Sequence, residues 1–168
     1  KLKYFRKICL IGNNLTSLIL AYILSKKNLT VEIYSKKTPK INFITRTIGI
    51  SKNNFNFLKS NFKIISKISK PIDQIKVLIK NKKIDEKIKF KKNTSILFYM
   101  VKYDRLISAI KLKVKKNKNI YFKNIKKDLD LLKIKNSKKK QLIINCEKTN
   151  ILTEKFLIKG IIKNYHNK

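Results

Sequence analysis

Residues 8–36 read ICLIGNNLTSLILAYILSKKNLTVEIYSK, and the fold of this 168-residue chain is decided there. Ile8 to Ile11 is a short apolar run rich in β-branched residues, and Gly12 interrupts it. Leu15 to Lys27 has the length and composition of a buried helix, and Thr30 to Tyr34 resumes strand character. Strand, turn, helix and strand make a βαβ unit. In such a unit the helix N-terminus, with unpaired N–H groups and a positive dipole end, sits over the first strand and suits a nucleotide pyrophosphate.

The glycine pattern that serves this purpose is G-x-G-x-x-G, whereas the turn here is Gly12-Asn13-Asn14-Leu15-Thr16-Ser17, with only the first glycine kept. Asn14 stands where a glycine would bring backbone against phosphate. Asn tolerates positive φ better than most residues, so the turn is expected to persist with less room. Ser17 is small enough for close helix-to-strand packing. The ribose-binding acid normally ends the second strand; that place falls on Ser35, with Glu32 inside the strand three residues earlier. A plain α/β core unit is the competing reading of the same residues.

With 43% hydrophobic residues, the chain is long enough for a domain with its own core. Lys and Arg number 43 against nine Asp and Glu, a formal charge of +34, and such an excess normally suggests nucleic acid or an anionic membrane. The distribution argues otherwise. The basic residues are nearly all Lys, Arg standing only at 6, 46 and 105, and Lys rises together with Asn and Ile, as an AT-rich coding sequence would produce. A nucleic-acid module concentrates its charge and interleaves aromatics with Arg. No specific nucleic-acid partner is expected, although salt-sensitive adsorption to polyanions is.

Cys9 and Cys146 lie in apolar strand-like runs without zinc spacing and read as buried, reduced thiols. His166 is the only histidine, so neither a metal cluster nor a nucleophile–histidine relay can be assembled. The longest apolar run, Leu18 to Leu24, is far short of the roughly 20 residues of a membrane span. The start runs directly into the first strand without a signal-peptide core, which makes a cytoplasmic location the expectation. The missing initiator Met and the ending Asn164-Tyr165-His166-Asn167-Lys168 predict a segment of something longer.

Beyond the βαβ unit, Pro39 marks a loop and Ile41 to Ile50 an extended stretch. A helix N-capped by Ser51 follows, with Phe55, Leu58, Phe62, Ile65 and Ile68 at helical spacing before Pro71 closes it. Ile75 to Lys80 and Lys87 to Lys91 form a hairpin with one apolar and one lysine-rich face, and Ile96 to Val101 is a further strand. Tyr103 to Lys116 is an amphipathic helix carrying Leu106, Ile107, Ile110 and Val114 on one face. Ile120 to Phe122 is a short strand, and Asp128 to Ile134 and Gln141 to Cys146 read as two more.

Three blocks in register carry a resemblance that no single motif supports. Arg46-Thr47-Ile48-Gly49-Ile50-Ser51, followed by Phe55 and Phe57-Leu58, resembles the "RTIALS...FL" segment of the FAD-dependent ubiquinone-biosynthesis hydroxylases. Phe98-Tyr99-Met100-Val101 with Leu106 and Ala109-Ile110 is similar to their "GYMV...L..AL" strand and helix, and Asn119-Ile120 falls where "NV" opens the next strand. Leu142 through Asn150 stands where that family has "LIIGADGxNS", and Lys163 through Asn167 is similar to its "K.YNQ" segment. The resemblance covers essentially the whole chain in order and spacing, with individual motifs eroded.

It implies an α/β, Rossmann-like FAD-binding domain of the glutathione-reductase type, with a central mostly parallel sheet, flanking helices and a small β meander. Over residues 1–168 it implies a single, incomplete domain, since the substrate-covering sheet and a distal Gly-Asp flavin contact lie beyond the equivalent of residue 168. In the family NAD(P)H reduces the flavin, and a flavin hydroperoxide hydroxylates an aromatic quinone precursor. Catalysis is mostly the cofactor's, while the protein positions and shields it. By position, Gly12, Asn13, Asn14, Leu15, Thr16 and Ser17 would hold the FAD pyrophosphate, and Ser35 with Lys36 the adenosine ribose. Arg46 is the best preserved cofactor-side residue; as a planar guanidinium it is not replaced by an ammonium without loss, and its bland alternative is a surface arginine in a loop. The family's arginine before the post-hairpin helix falls on Asp104 or, with a one-residue slip, on Arg105. The "DG" motif has become Glu147-Lys148, an acid without its glycine, or else a solvated turn after a buried strand. No catalytic residue and no metal ligand is assigned. Other quinone-biosynthesis proteins and peripheral contact with the inner face of a membrane are the partners implied. A shortened, non-catalytic relative acting as a binding or assembly partner is the alternative, and a basic nucleic-acid module comes last.

Overall fold

The computed structural model describes residues 7–36, 46–80, 85–91, 96–127, 129–136 and 141–156. They fall into two compact units, the described parts of Lys1–Pro39 with Lys118–Lys168, and those of Lys40–Asn117. The expected loop at Pro39, Arg6, His166 and the Lys163-to-Asn167 block lie outside the described residues.

The first unit is a four-stranded sheet in the order β8-β2-β1-β9, formed by β1 (Lys7–Ile11), β2 (Thr30–Lys36), β8 (Ile120–Ile125) and β9 (Gln141–Asn145). Every pairing is parallel, with Ile8 beside Val31 on one side and Leu142 on the other. Parallel strands buried on both faces read as continuous apolar runs. On β1, Ile8, Cys9, Leu10 and Ile11 are accordingly buried, whereas β2 alternates and buries Val31 and Ile33; the expected central parallel sheet is the one formed. Helix α1 (Leu15–Ser25) packs Leu18 and Ala21 inward and ends before Asn28, whose φ of 57° is one that Asn tolerates. A second cluster joins Ile11 and Ile125 to Leu131 and Leu152 from α5 (Leu129–Lys135) and α6 (Ile151–Phe156).

Helix α5 corrects the strand expected from Asp128 to Ile134; Asp128 itself lies outside the described residues. The alternation of Leu129 and Leu131 suggested a strand, but Leu131-Leu132 breaks period two. Leu131 is buried with Leu132 and Ile134 packed around the same cluster, while Leu129 is 58% exposed. Asp130 fixes the first turn by accepting from the Lys127 N–H at 3.1 Å. Helix α6 was not foreseen.

The second unit has an antiparallel sheet in the order β3-β7-β4, built from β3 (Thr47–Ser51), β4 (Ser69–Ile72) and β7 (Phe98–Lys102). It also holds the expected hairpin, β5 (Gln74–Lys80) with β6 (Asp85–Lys91). Ser51 caps α2 (Lys52–Asn61) through the Asn54 N–H at 3.3 Å, as expected. The single helix expected to reach Ile68 is two pieces, α2 and α3 (Ile65–Ile68). The side chains of Ser60 and Asn61 both donate to the Phe57 carbonyl at 2.9 Å, local bonding that competes with helix continuation. Phe62 then leaves helical geometry and buries its ring. Pro71 does not close a helix but sits in β4, an edge strand where a missing N–H is tolerated. Helix α4 (Tyr103–Lys115) buries Leu106, Ile110 and Val114, while Phe55 stacks on Tyr99 with ring centroids 3.5 Å apart.

Candidate nucleotide-binding site

The parallel sheet ends in the turn from Gly12 to Ser17, where a doubly wound fold places its ligands, outside the carboxyl ends of the strands. Gly12 has φ of +110°, a value an L side chain rarely adopts, and its N–H donates to the Tyr34 carbonyl at 2.8 Å. The turn is thereby held against β2. The surviving glycine is therefore the residue that the backbone requires.

Asn14 behaves differently from the expectation that it would draw on tolerance of positive φ. It is extended, at φ −111° and ψ 177°, and forms a capping box for α1. Its Oδ1 accepts from the Ser17 N–H at 3.0 Å, and the Ser17 hydroxyl accepts from the Asn14 N–H at 3.0 Å. Its Nδ2 donates to the Cys146 carbonyl at 2.7 Å, tying the helix N-terminus to the end of β9. Ser17 is fully buried, consistent with close packing of helix on strand. Asn13 Oδ1 is buried without a hydrogen-bond partner, Leu15 is half-buried and Thr16 is exposed.

Glu147 comes to the same turn from the loop after β9. A Cβ built on Gly12 would lie 2.7 Å from Glu147 Cγ and 3.2 Å from its Oε1. The space in front of the turn glycine is thus taken by the chain's own glutamate. Glu147 also lines, with Ser35 and Lys36, a cavity of about 160 Å³ completed by Ile125, Leu131, Thr149, Asn150 and Glu154. The structure therefore brings Gly12, Asn14, Ser17, Ser35, Lys36 and Glu147 to one edge of the sheet. Asn150 and Glu154 were missed in sequence. Asn150 stands there only as the last residue of the block matched to "LIIGADGxNS", and its Oδ1 caps α6 by accepting from the Leu152 and Thr153 N–H groups at 3.0 Å.

Glu32 does not serve as the ribose acid. It pairs with Lys7 at 2.6 Å and accepts from the Tyr34 hydroxyl. Burial would raise its carboxyl, but these two partners, with the Lys123 charge, pull it below the usual carboxylate range. Burial, then the neighbouring Glu32, pushes the Tyr34 phenol well above its ordinary value. The Cys9 thiol is pushed up to about 11 by burial and donates to Gln141 Oε1 at 3.3 Å; Cys146 is only half-buried and is also raised, by burial and then by Glu147. Both are poor nucleophiles in this state.

Arg46 and Arg105 belong to the second unit. The Arg46 guanidinium lies 4.3 Å over the Tyr103 ring, and its carbonyl accepts from the Tyr103 N–H at 2.9 Å. Stacking on an aromatic face accounts for an arginine there without a ligand. Arg105 is exposed in the first turn of α4, whereas Asp104 places Oδ1 in a buried position with no partner. Among the described residues no group of His, Cys, Asp or Glu could hold a metal ion, and no helix is long and apolar enough to cross a membrane.

An FAD diphosphate fits this site in part. The glycine turn, the helix end and the cavity at the tip of β2 suit it, but Glu147 takes the space beside Gly12 and the Asn14 amide is tethered to Cys146, which crowds the turn.

No protein-family model and no curated protein matches this sequence. Solved structures match it in fold. One is p-nitrophenol 4-monooxygenase from Pseudomonas putida DLL-E4, at 13% identity and a TM-score of 0.57, over 71% of this chain and 31% of that one. A second is 2,6-dihydroxypyridine-3-hydroxylase from Arthrobacter nicotinovorans, at 12% and 0.52, over 70% and 28%. A protein from Photorhabdus luminescens subsp. laumondii TTO1 described as an FAD-containing monooxygenase matches at 14% and 0.52, over 70% and 30%. The likeness is one of fold, and it spans about a third of the length of these proteins.

Proposed function

We propose that this chain is the cofactor-side portion of a flavin-dependent monooxygenase and holds the adenosine end of FAD. The observation that carries the reading is the left-handed Gly12 turn at the carboxyl edge of a parallel sheet, with a cavity beside it at the tip of β2. The fold likeness to the monooxygenases and hydroxylases above supports it. The ordered "RTIGIS", "FYMV" and "LIINCEKTN" blocks support the finer proposal of a ubiquinone-pathway hydroxylase acting on an aromatic quinone precursor, with NAD(P)H as reductant. FAD would supply the redox chemistry. The chain's own part is to seat the nucleotide: Gly12 turns the backbone, Asn14 and Ser17 fix the helix end, and Ser35, Lys36 and the loop after β9 enclose the sugar.

A second reading is favoured by one observation. Glu147 against Gly12 and the Asn14 tether crowd the turn that would receive a phosphate, as in a relative that keeps the fold without the chemistry. Titration of the purified chain with FAD, followed by flavin fluorescence, tests the first reading. Saturable binding that weakens for a chain carrying Ser35→Trp, which fills the cavity, is the expected result. Absence of saturable binding at any flavin concentration tested would leave the non-catalytic relative as the better description.

A further inference from the structure

The ribose acid that normally ends the second strand is missing here, since Ser35 holds its place and Glu32 is engaged by Lys7 and Tyr34. The cavity nevertheless contains carboxylates. Glu147 and Glu154 reach it from the loop after β9 and from α6, facing Ser35, Thr149 and Asn150. Carboxylate oxygens accept from vicinal hydroxyls, which is the chemistry the strand-ending acid performs. For a phosphate the same arrangement is adverse. Glu147 Cγ and Oε1 occupy the space in front of Gly12, and the Ser17 N–H, a first-turn donor that could meet phosphate, is already given to Asn14 Oδ1. Asn14 is held at both ends of its amide, by Ser17 and by Cys146, so it does not swing aside without breaking two bonds.

Resting on the adenosine-end reading above, we propose that Glu147 is the specificity-determining residue of this site: it accepts the ribose hydroxyls in place of the lost strand-ending acid and, seated on Gly12, makes the pocket prefer a nucleoside to its diphosphate. A carboxylate and a diphosphate are like charges, and held within a few ångströms of one another they lie inside the Debye length, so their repulsion persists in salt. The preference thus follows from both space and sign. Lys36 lines the cavity too, and the chain is strongly basic, so the test separates general attraction for phosphate from an effect local to Gly12.

The test measures dissociation constants of the full chain for adenosine, 2′-deoxyadenosine and ADP by calorimetry, at several hundred millimolar salt to suppress adsorption to the lysine-rich surface. Glu147→Ala, Glu147→Gln and Glu154→Ala are compared with the unaltered chain. Glu147 is exposed, so its replacement leaves the buried core intact. The expected result is adenosine bound more tightly than both 2′-deoxyadenosine and ADP. Glu147→Ala then shifts the ADP-to-adenosine affinity ratio at least tenfold toward ADP and erases discrimination against the deoxy sugar. Glu147→Gln, which keeps the volume and removes the charge, shifts the ratio part of the way. Glu154→Ala, which removes a charge from the same cavity without touching Gly12, leaves the order unchanged. Tighter binding of ADP by the unaltered chain, or equal shifts in the Glu147 and Glu154 variants, would overturn the inference while leaving the adenosine-end reading standing. Failure of every chain to bind any of the three ligands would remove that reading and the inference with it.

Discussion

Val31 and Val77 are both strand valines in a chain rich in Lys and Ile, yet the first is fully buried and the second 40% exposed. The difference lies in what surrounds their strands. β1 and β2 are inner strands of the parallel sheet, each paired on both sides, and Ile8, Leu10, Val31 and Ile33, which share one face in register, are fully buried. Among the described residues, β5 and β6 pair only with each other. Ile75 pairs with Phe90 and Val77 with Ile88, and these four remain between 38% and 53% exposed. Lys76 pairs with Lys89 on the other face. The same residue types thus make a core in one place and a one-sided amphipathic ribbon in the other, and period alone does not decide which: TVEIYSK alternates as QIKV does, and the two strands differ in how far their apolar face is covered.

The sharpest way to break this contrast is truncation at matched positions. Leu10→Ala removes a fully buried side chain and should lower unfolding free energy by about 2–5 kcal/mol, the range for large-to-small core changes. Val77→Ala should lower it by less than about 1 kcal/mol, since 40% of its surface is already exposed. Urea unfolding of the two variants checks both. Comparable losses would show that the hairpin face is covered as thoroughly as the sheet.

Between these extremes lies the turn that closes the sheet. Asn14→Ala removes the helix cap and leaves the Cys146 carbonyl without its donor, for a combined loss of about 1–3 kcal/mol. Asn14→Asp retains the cap acceptor and loses the Nδ2 donor, so it should recover part of that loss. If Asn14→Asp is as damaging as Asn14→Ala in thermal melts, the tie to β9 matters more than the cap.

The parts of this molecule that were legible in sequence are those whose signal is local. The βαβ unit, the Ser51 cap, α4 and the hairpin each declare themselves within one window of periodicity. What was not legible depends on distant neighbours or on competing local signals. Residues 129–135 alternate long enough to suggest a strand until Leu131-Leu132, and only the cluster with Ile11 and Leu152 selects the helix. The break at Phe62 depends on which side chains capture the Phe57 carbonyl. At the candidate site the turn and Ser35 were singled out by spacing, and Lys36 and Glu147 by the resemblance. Its seat on Gly12 exists only because β9 pairs beside β1, which no local pattern states.

The smallest effect expected is at Glu32, a partly buried charge on an inner strand of the sheet. Its side chain is 13% exposed and its pair with Lys7 is partly solvated, so Glu32→Gln should lower stability near neutral pH by about 0.2–1 kcal/mol. The pH dependence gives the stronger test. Because the Glu32 carboxyl titrates lower in the folded chain than in the unfolded one, its contribution is full above the unfolded value near pH 4.5 and is lost as pH falls through the folded value. The gap between the two proteins should therefore be constant from neutral pH down to about 5 and close below it, where the unaltered chain carries a neutral carboxyl much like the amide of the variant. On the alkaline side the Tyr34 phenol, raised by burial and then by Glu32, favours the folded state below its unfolded value and withdraws that support as pH rises through the folded one. Removing the Glu32 charge lowers the Tyr34 value, so the variant should also lose less stability above pH 10 or so. A gap that persists unchanged to pH 3 would mean that Glu32 supports the strand by packing, as Val31 and Ile33 do, and not by its charge.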